Sequence, residues 1–296
     1  MNLQNQLSEH EHLNEARTDV DVDLGALSHQ GHVRENNEDS YLVCRFGRSL
    51  ENLITNLDED LLEQSYTVTG YGMLVADGMG GMAGGEIASR LALSKLVELV
   101  VDTSDWVLSL KQQKDVNTVL NRMTERFLQI DSAVRREADH DYTLQGMGTT
   151  LTVAAVLESD LMIGHVGDSR AYLLHGSSLK QLTTDHTLAQ ALIDAGVADP
   201  DDPASRSMRH VLTAAVGSLG QEVEPQVQRF KLERGDQLLL CTDGLTETVE
   251  DSTIAQVLQE AASAQSACQT LVDLALAGGG TDNITVVVAR FTDSKV

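Results

Sequence analysis

The run TTLTVAAVLESDLMIGHVGDSRAYLLH (149–175) decides the fold class. It holds three strand-like segments, 149–157, 160–166 and 170–175, rich in β-branched and aliphatic residues. No helix separates them. HVGDSRAY (165–172) reads as a tight turn between two antiparallel strands. Working outward, 21–28, 39–46, 71–77, 227–232, 236–243 and 283–291 read as further strands, most of them bounded by Gly, Asp or Ser. Helical spacing of apolar residues marks 84–101, 115–139, 187–196, 252–262 and 265–277. Segment 50–62 is acidic and helix-like, inside an unusually long connection, 46–70. Regular βαβ alternation is missing. The expected class is therefore α+β, a four-layer α-β-β-α sandwich of two mainly antiparallel sheets flanked by helices.

Composition narrows the function. Of the 296 residues 42% are apolar and 3% aromatic, so the core must be mostly aliphatic. A formal net charge of −24 argues against nucleic acid as a partner, because phosphate backbones recruit Lys and Arg. It suits a protein that holds cations or meets basic partners. Cys44, Cys241 and Cys268 form no CxxC pair and no zinc spacing, which points to a reducing cytoplasm. No apolar run nears the ~20 residues that span a bilayer, so no membrane role is expected. The N-terminus lacks a signal-peptide pattern. Residues 1–20 read as a flexible acidic tail, with His10 and His12 solvated in it, and 21–292 as a single domain without a Pro-rich linker.

Four aspartates lie at strand ends. Asp77 closes GMLVAD, Asp243 closes LLLCTD, Asp39 opens DSYLV and Asp282 precedes NITVVVA. If strands ending in Asp run antiparallel to those beginning with Asp, all four acids share one edge. They would repel and raise one another's pKa unless cations sat between them. Carboxylates, carbonyls and water select hard cations such as Mg²⁺ and Mn²⁺. Two such ions roughly 3.5–4 Å apart can acidify a bridging water and aim it at phosphorus. Each Asp alone reads as a turn or strand cap; the set of four, with an Arg nearby, points toward a site. Arg34 in RENNEDS either grips phosphate oxygens as a planar fork or pairs with Glu35 or Glu38. Asn36, Asn37 and Glu38 either orient metal-bound water or form a turn. Asp168, Ser169 and Arg170 read as turn formers, and His165 as a core histidine.

Seven motifs in series, GHVRENNED, VADGMGG, GMGTTLT, HVGDSR, TTDH, LLLCTDGL and GGTDNITVVV, cover residues 31 to 288. In that order they resemble the bacterial branch of the PPM family, the metal-dependent type 2C serine/threonine protein phosphatases. The resemblance implies a pair of antiparallel sheets flanked by helices and hydrolysis of phosphoserine and phosphothreonine in proteins. Water activated between two Mn²⁺ or Mg²⁺ ions would attack in line. Asp77 would bridge the ions, the Gly78 carbonyl would ligate one, and Asp243 and Asp282 would complete them. Asp39 and Glu38 would bind directly or through water, and Arg34 would hold the substrate phosphate. Phosphorylated proteins, and a serine/threonine kinase sharing them, are the partners implied.

The chain departs from the family in places. Met79 stands where some members carry His as leaving-group acid. Gln145 and Gly146 precede MGTT where many bacterial members place an Asp that helps bind a third metal. Residues 187–216 match a flap beside the family's active site, in which Arg206, Arg209 and His210 face either solvent or a phosphopeptide. Asp185 and His186 would brace that flap. Two competing readings keep parts of the pattern: a silent phosphoprotein-binding module, and a hydrolase of small phosphorylated metabolites. Ser169 with His186 as base is disfavoured, since no GxSxG elbow is present.

Overall fold

The computed structural model describes residues 20–51, 65–80, 84–102, 116–199, 207–218 and 223–293. Of the expected tail only Val20 is among those residues, and Arg206 lies outside them. One five-stranded sheet runs in the order β1 (Val20–His29), β12 (Ile284–Asp293), β11 (Gln237–Cys241), β8 (Arg170–His175), β9 (Ser178–Gln181). The other runs β10 (Gln226–Lys231), β7 (Asp160–Val166), β6 (Leu151–Leu157), β3 (Ser65–Ala76), β2 (Ser40–Glu51). Every pairing within them is antiparallel. A short ladder joins β4 (Gly78–Met79) to β5 (Gly148–Thr149).

The aliphatic strands are apolar on both faces because both faces are covered. In β3, Met73 and Val75 face the space between the sheets, while Leu74 and Ala76 face helices. In β11 and β12, Leu238, Leu240, Val287 and Ala289 fill the inter-sheet core, and Leu239, Cys241, Val286 and Val288 turn outward. Outside the β3 sheet lie α1 (Gly84–Asp102) and α2 (Val116–His140), through Ala88, Ala92, Phe127, Ile130 and Val134. Outside the β11 sheet lie α5 (Asp251–Glu260) and α6 (Ala264–Ala277), through Ile254, Leu258, Leu271 and Val272. Each fully buried Leu contributes about 1.5–3 kcal/mol. The result is the α-β-β-α sandwich.

Three local expectations need correction. HVGDSRAY is not a hairpin: β7 belongs to one sheet and β8 to the other. Gly167, at φ +112, turns the chain across the gap between them. A hairpin does join β6 to β7, through Glu158 and Ser159, with Glu158 at φ 54. Second, much of the 46–70 connection is strand, because β2 and β3 pair out to Glu51 opposite Ser65. Of the helix-like 50–62 segment, 50–51 is strand and the rest lies outside the described residues. Third, β11 stops at Cys241, and Asp243 opens the short α4 (Asp243–Thr246). Over 187–216, Thr187 caps α3 (Leu188–Asp194) by accepting from the Gln190 N–H. The return segment is pinned by Thr149 pairing with Val216 and Thr187 with Leu212.

Candidate metal centre

Antiparallel register brings the acids together in pairs. Ser40 lies opposite Ala76, so Asp39 and Asp77 share one end of their sheet. Cys241 lies opposite Val286, so Asp243 and Asp282 share the corresponding end of the other. The two sheets are tied there. Asp39 Oδ2 accepts from Thr242 Oγ1 at 2.8 Å and from Thr285 Oγ1 at 2.7 Å. Asp39 Oδ1 and Asp243 Oδ1 are buried and have no hydrogen-bond partner.

Backbone contacts fix the loops that carry these side chains. The Asp77 N–H donates to Thr150 Oγ1 at 2.9 Å, and the Asp77 carbonyl accepts from the Thr150 N–H and from Thr149 Oγ1, each at 2.9 Å. Gly78 lies under the first turn of α1, where a Cβ would collide with the Gly85 and Glu38 carbonyls. Asn283, missed as a functional residue in the sequence, is a hub. Its Oδ1 accepts from the Glu38 N–H at 2.8 Å, and its Nδ2 donates to the Gln30 and Asn36 carbonyls at 2.8 and 2.9 Å. Asn37 takes the turn role, accepting from the Asp39 N–H and donating to Ser28. Arg34 pairs with neither Glu35 nor Glu38 but with Asp282, at 2.5 Å.

The electrostatics follow from burial. Desolvation, then Asp243 and Asp282, push the Asp39 carboxyl up to about 7, against two hydroxyl donors that lower it. Desolvation and Glu247 push Asp243 up to about 7. Asp77 is raised well above the ordinary range by desolvation and then by Asp39, Asp243, Asp168 and Asp282. Burial also raises Glu38. The Arg34 guanidinium is held charged first by its bond to Asp282, and further by Asp77 and Asp243. A cluster this unfavourable to its own charge fits divalent cations. The oxygens that could serve as donors are carboxylates and a close-packed glycine carbonyl, the set that hard cations take.

Asp168 belongs with these acids, although it read as a turn former. It is buried, and desolvation followed by Asp243 pushes it up to about 8. It stands where the chain crosses between sheets, just ahead of β8. The rule that picked out Asp39 and Asp282, an acid opening a strand, would also have found it.

Neighbouring residues have structural partners. Arg170 leaves the turn to pair with Asp185, at 2.6 Å from Nη2, with Nε also donating. His186 accepts at Nδ1 from the Gly167 N–H, and its carbonyl holds the Thr213 N–H at 2.8 Å. His165 is fully buried and bonded to Thr152 at Nδ1, yet its Nε2 has no partner. Burial lowers it to about 3, so it is neutral. His210 lies 2.9 Å from Glu247, and Arg209 is exposed.

Comparison with known proteins bears on this arrangement. The model of the family described as protein phosphatase 2C matches residues 57–277. The serine/threonine protein phosphatase PstP of Mycobacterium tuberculosis is 36% identical over 279 residues, 94% of this chain and 46% of its own length. The chain thus spans about half the length of that relative. The protein phosphatase PhpP of Streptococcus pneumoniae is 30% identical over 92% of this chain and 98% of its own. A crystal structure of the catalytic domain of PstP with two manganese ions superposes with a TM-score of 0.70, at 33% identity, covering 93% of this chain and 99% of that one.

Proposed function

The chain belongs to the protein phosphatase 2C family, and from that premise we propose that it hydrolyses phosphoserine and phosphothreonine esters in proteins. The observation that carries the reading is the convergence of four strand-end acids, two of them with a buried, unpartnered carboxylate oxygen, beside an arginine. We assign Asp39, Asp77, Asp243, Asp282 and the Gly78 carbonyl as ligands of two Mn²⁺ or Mg²⁺ ions, with Glu38 acting through water. When bound, the ions supply Lewis acidity and a water that is nucleophilic at neutral pH.

The chain's own residues do the rest. Thr242 and Thr285 occupy Asp39 Oδ2 and leave Oδ1 to bind. Arg34 exchanges Asp282 for the substrate's phosphate oxygens, which its planar fork can grip in pairs. Ser169 is not poised as a nucleophile: it is fully buried and bonded to Thr150 at 2.7 Å. The reading therefore involves no phosphoenzyme. Residues 21–292 are taken as one catalytic domain, with 187–216 as its flap and the extended 46–70 connection as a partner contact. The reaction requires a serine/threonine kinase acting on the same proteins. Free cysteines and strong negative charge favour a cytoplasmic signalling role. Among the described residues no helix is long and apolar enough to cross a membrane.

The test compares kcat/KM for phosphothreonine peptides and small phosphorylated metabolites, with Mn²⁺ and with EDTA. Preference for peptides, and silence in EDTA, is expected. Preference for metabolites would move the substrate class, and binding of peptide without turnover would favour a silent module.

A further inference from the structure

We propose that Asp131, on α2, is a positioning residue for the metal centre, bracing from outside the sheet the loop that carries Asp77 and Gly78. The proposal rests on the assignment of Asp77 and Gly78 as ligands and adds to it a residue that touches neither.

Asp131 is 4% exposed, buried like Phe127, Ile130 and Val134, through which α2 packs on its sheet. A carboxylate is costly to bury unless its oxygens are hydrogen-bonded. Both are. Oδ1 accepts from the Gly217 N–H at 2.7 Å, and Oδ2 accepts from Arg135 Nε at 2.7 Å. The Arg135 bond is local, one helical turn along α2, and an exposed Asp would make it as well. The Gly217 bond joins residues 86 apart in sequence and gives the burial a reason.

Only glycine fits the other end of that bond. Gly217 has φ +83, and a Cβ there would strike the Val134 side chain. The preceding residue, Val216, exchanges two backbone hydrogen bonds with Thr149, each 2.9 Å. Thr149 in turn lies opposite Gly78 in the β4–β5 ladder, and its Oγ1 donates to the Asp77 carbonyl at 2.9 Å. Hydrogen bonds thus lead from Asp131 through Gly217, Val216 and Thr149 to Asp77. Without the acid, the Gly217 N–H is left buried and unpaired, a cost relieved when Gly217 and Val216 move outward to water. That movement withdraws Val216 from Thr149 and loosens the Asp77–Gly78 loop.

The test combines amide hydrogen exchange of the metal-free full chain, read by NMR, with Mn²⁺ affinity, read by calorimetry where every variant is folded. In the parent the Gly217 and Val216 amides should be protected. In Asp131→Ala their protection should fall about 10-fold or more. Mn²⁺ affinity should fall about 10-fold with it, as for other lost ligand-orienting contacts. Asp131→Asn keeps an acceptor for Gly217 and should restore both readouts towards the parent's. Asp131→Glu keeps the charge but displaces the acceptor by one methylene. It should lose affinity as the alanine variant does, and it supplies the comparison if that variant does not fold. Arg135→Met removes the ion pair, leaves the Gly217 bond, and should bind Mn²⁺ as the parent does. An unprotected Gly217 amide in the parent overturns the proposal. So does parental Mn²⁺ affinity in Asp131→Ala and Asp131→Glu, or a loss in Arg135→Met equal to theirs, which would make Asp131 a helix-stabilising residue only. Turnover is not among the readouts. A parent that binds Mn²⁺ but leaves phosphothreonine peptide intact would therefore count against the proposed function, while the affinities of the variants still decide the role of Asp131.

Discussion

At Asp39, one carboxylate oxygen accepts from Thr242 and Thr285 while the other, also buried, accepts nothing. The two hydroxyls aim the side chain and oppose the burial that favours its protonated form. Removing one of them should loosen the ion rather than the fold. Thr285→Val is expected to weaken Mn²⁺ affinity about 10- to 100-fold, as losses of ligand-orienting bonds do, read by calorimetry. Unchanged affinity would mean that the hydroxyl does not orient Asp39. Arg34 pairs with Asp282, and in the proposed function it exchanges that acid for the substrate phosphate. Arg34→Ala should lower kcat/KM for a phosphothreonine peptide about 10- to 100-fold, the worth of a charge-assisted bond of roughly 1.5–3 kcal/mol. The fall should come mainly through KM, with Mn²⁺ affinity little changed. At this scale Asp39, Asp77, Asp243 and Asp282 were legible because each abuts a recognisable strand. Arg34's pairing with Asp282 was not, since 248 residues separate them and only the fold closes that distance.

At the scale of elements, strand ends position the chemistry. The β4–β5 ladder lets α1 begin directly over Gly78, and the close approach leaves no room for a side chain. Gly78→Ala should cost about 1–3 kcal/mol of stability, as overpacking does, and should weaken Mn²⁺ binding in the same protein. Urea melts alongside metal titration check both; a neutral result would show that the loop can move aside. Element existence was readable from period and composition. Partnership was not. The turn 167–169 has the length and residues of a hairpin, and only the burial of β7 and β8 in different sheets shows that it crosses the sandwich. That error hid Asp168, because a crossing places its acid between the sheets and a hairpin would have left it at the surface. Similarly, β11 ends at Cys241 because Thr242 opens the turn into α4, a helix too short to show a period.

At the scale of the molecule, the sandwich carries a concentration of acids that opposes its own folding. An ordinary aspartate titrates near 3.8, whereas Asp39 and Asp243 are raised to about 7 and Asp168 to about 8. Between those limits the folded state holds protons that the unfolded chain has released. Metal-free stability should therefore fall as pH rises from about 4 to about 8, and level off above. Mn²⁺ binds the deprotonated acids, so its stabilisation should grow over the same interval. Thermal melts at pH 5 and pH 8, in EDTA and in Mn²⁺, test this. The EDTA curve should drop more steeply than that of Asp77→Asn, which lacks one of the raised carboxyls. In the proposed function, strand-end acids hold the ions that make hydrolysis possible. This is tested most directly by phosphothreonine-peptide turnover as a function of Mn²⁺ concentration, in the parent chain and in Asp282→Asn. Saturable activation by Mn²⁺ is expected in the parent, none in EDTA, and a variant that needs far more metal for far less turnover. Full turnover in EDTA, or a variant whose metal dependence matches the parent's, would contradict it.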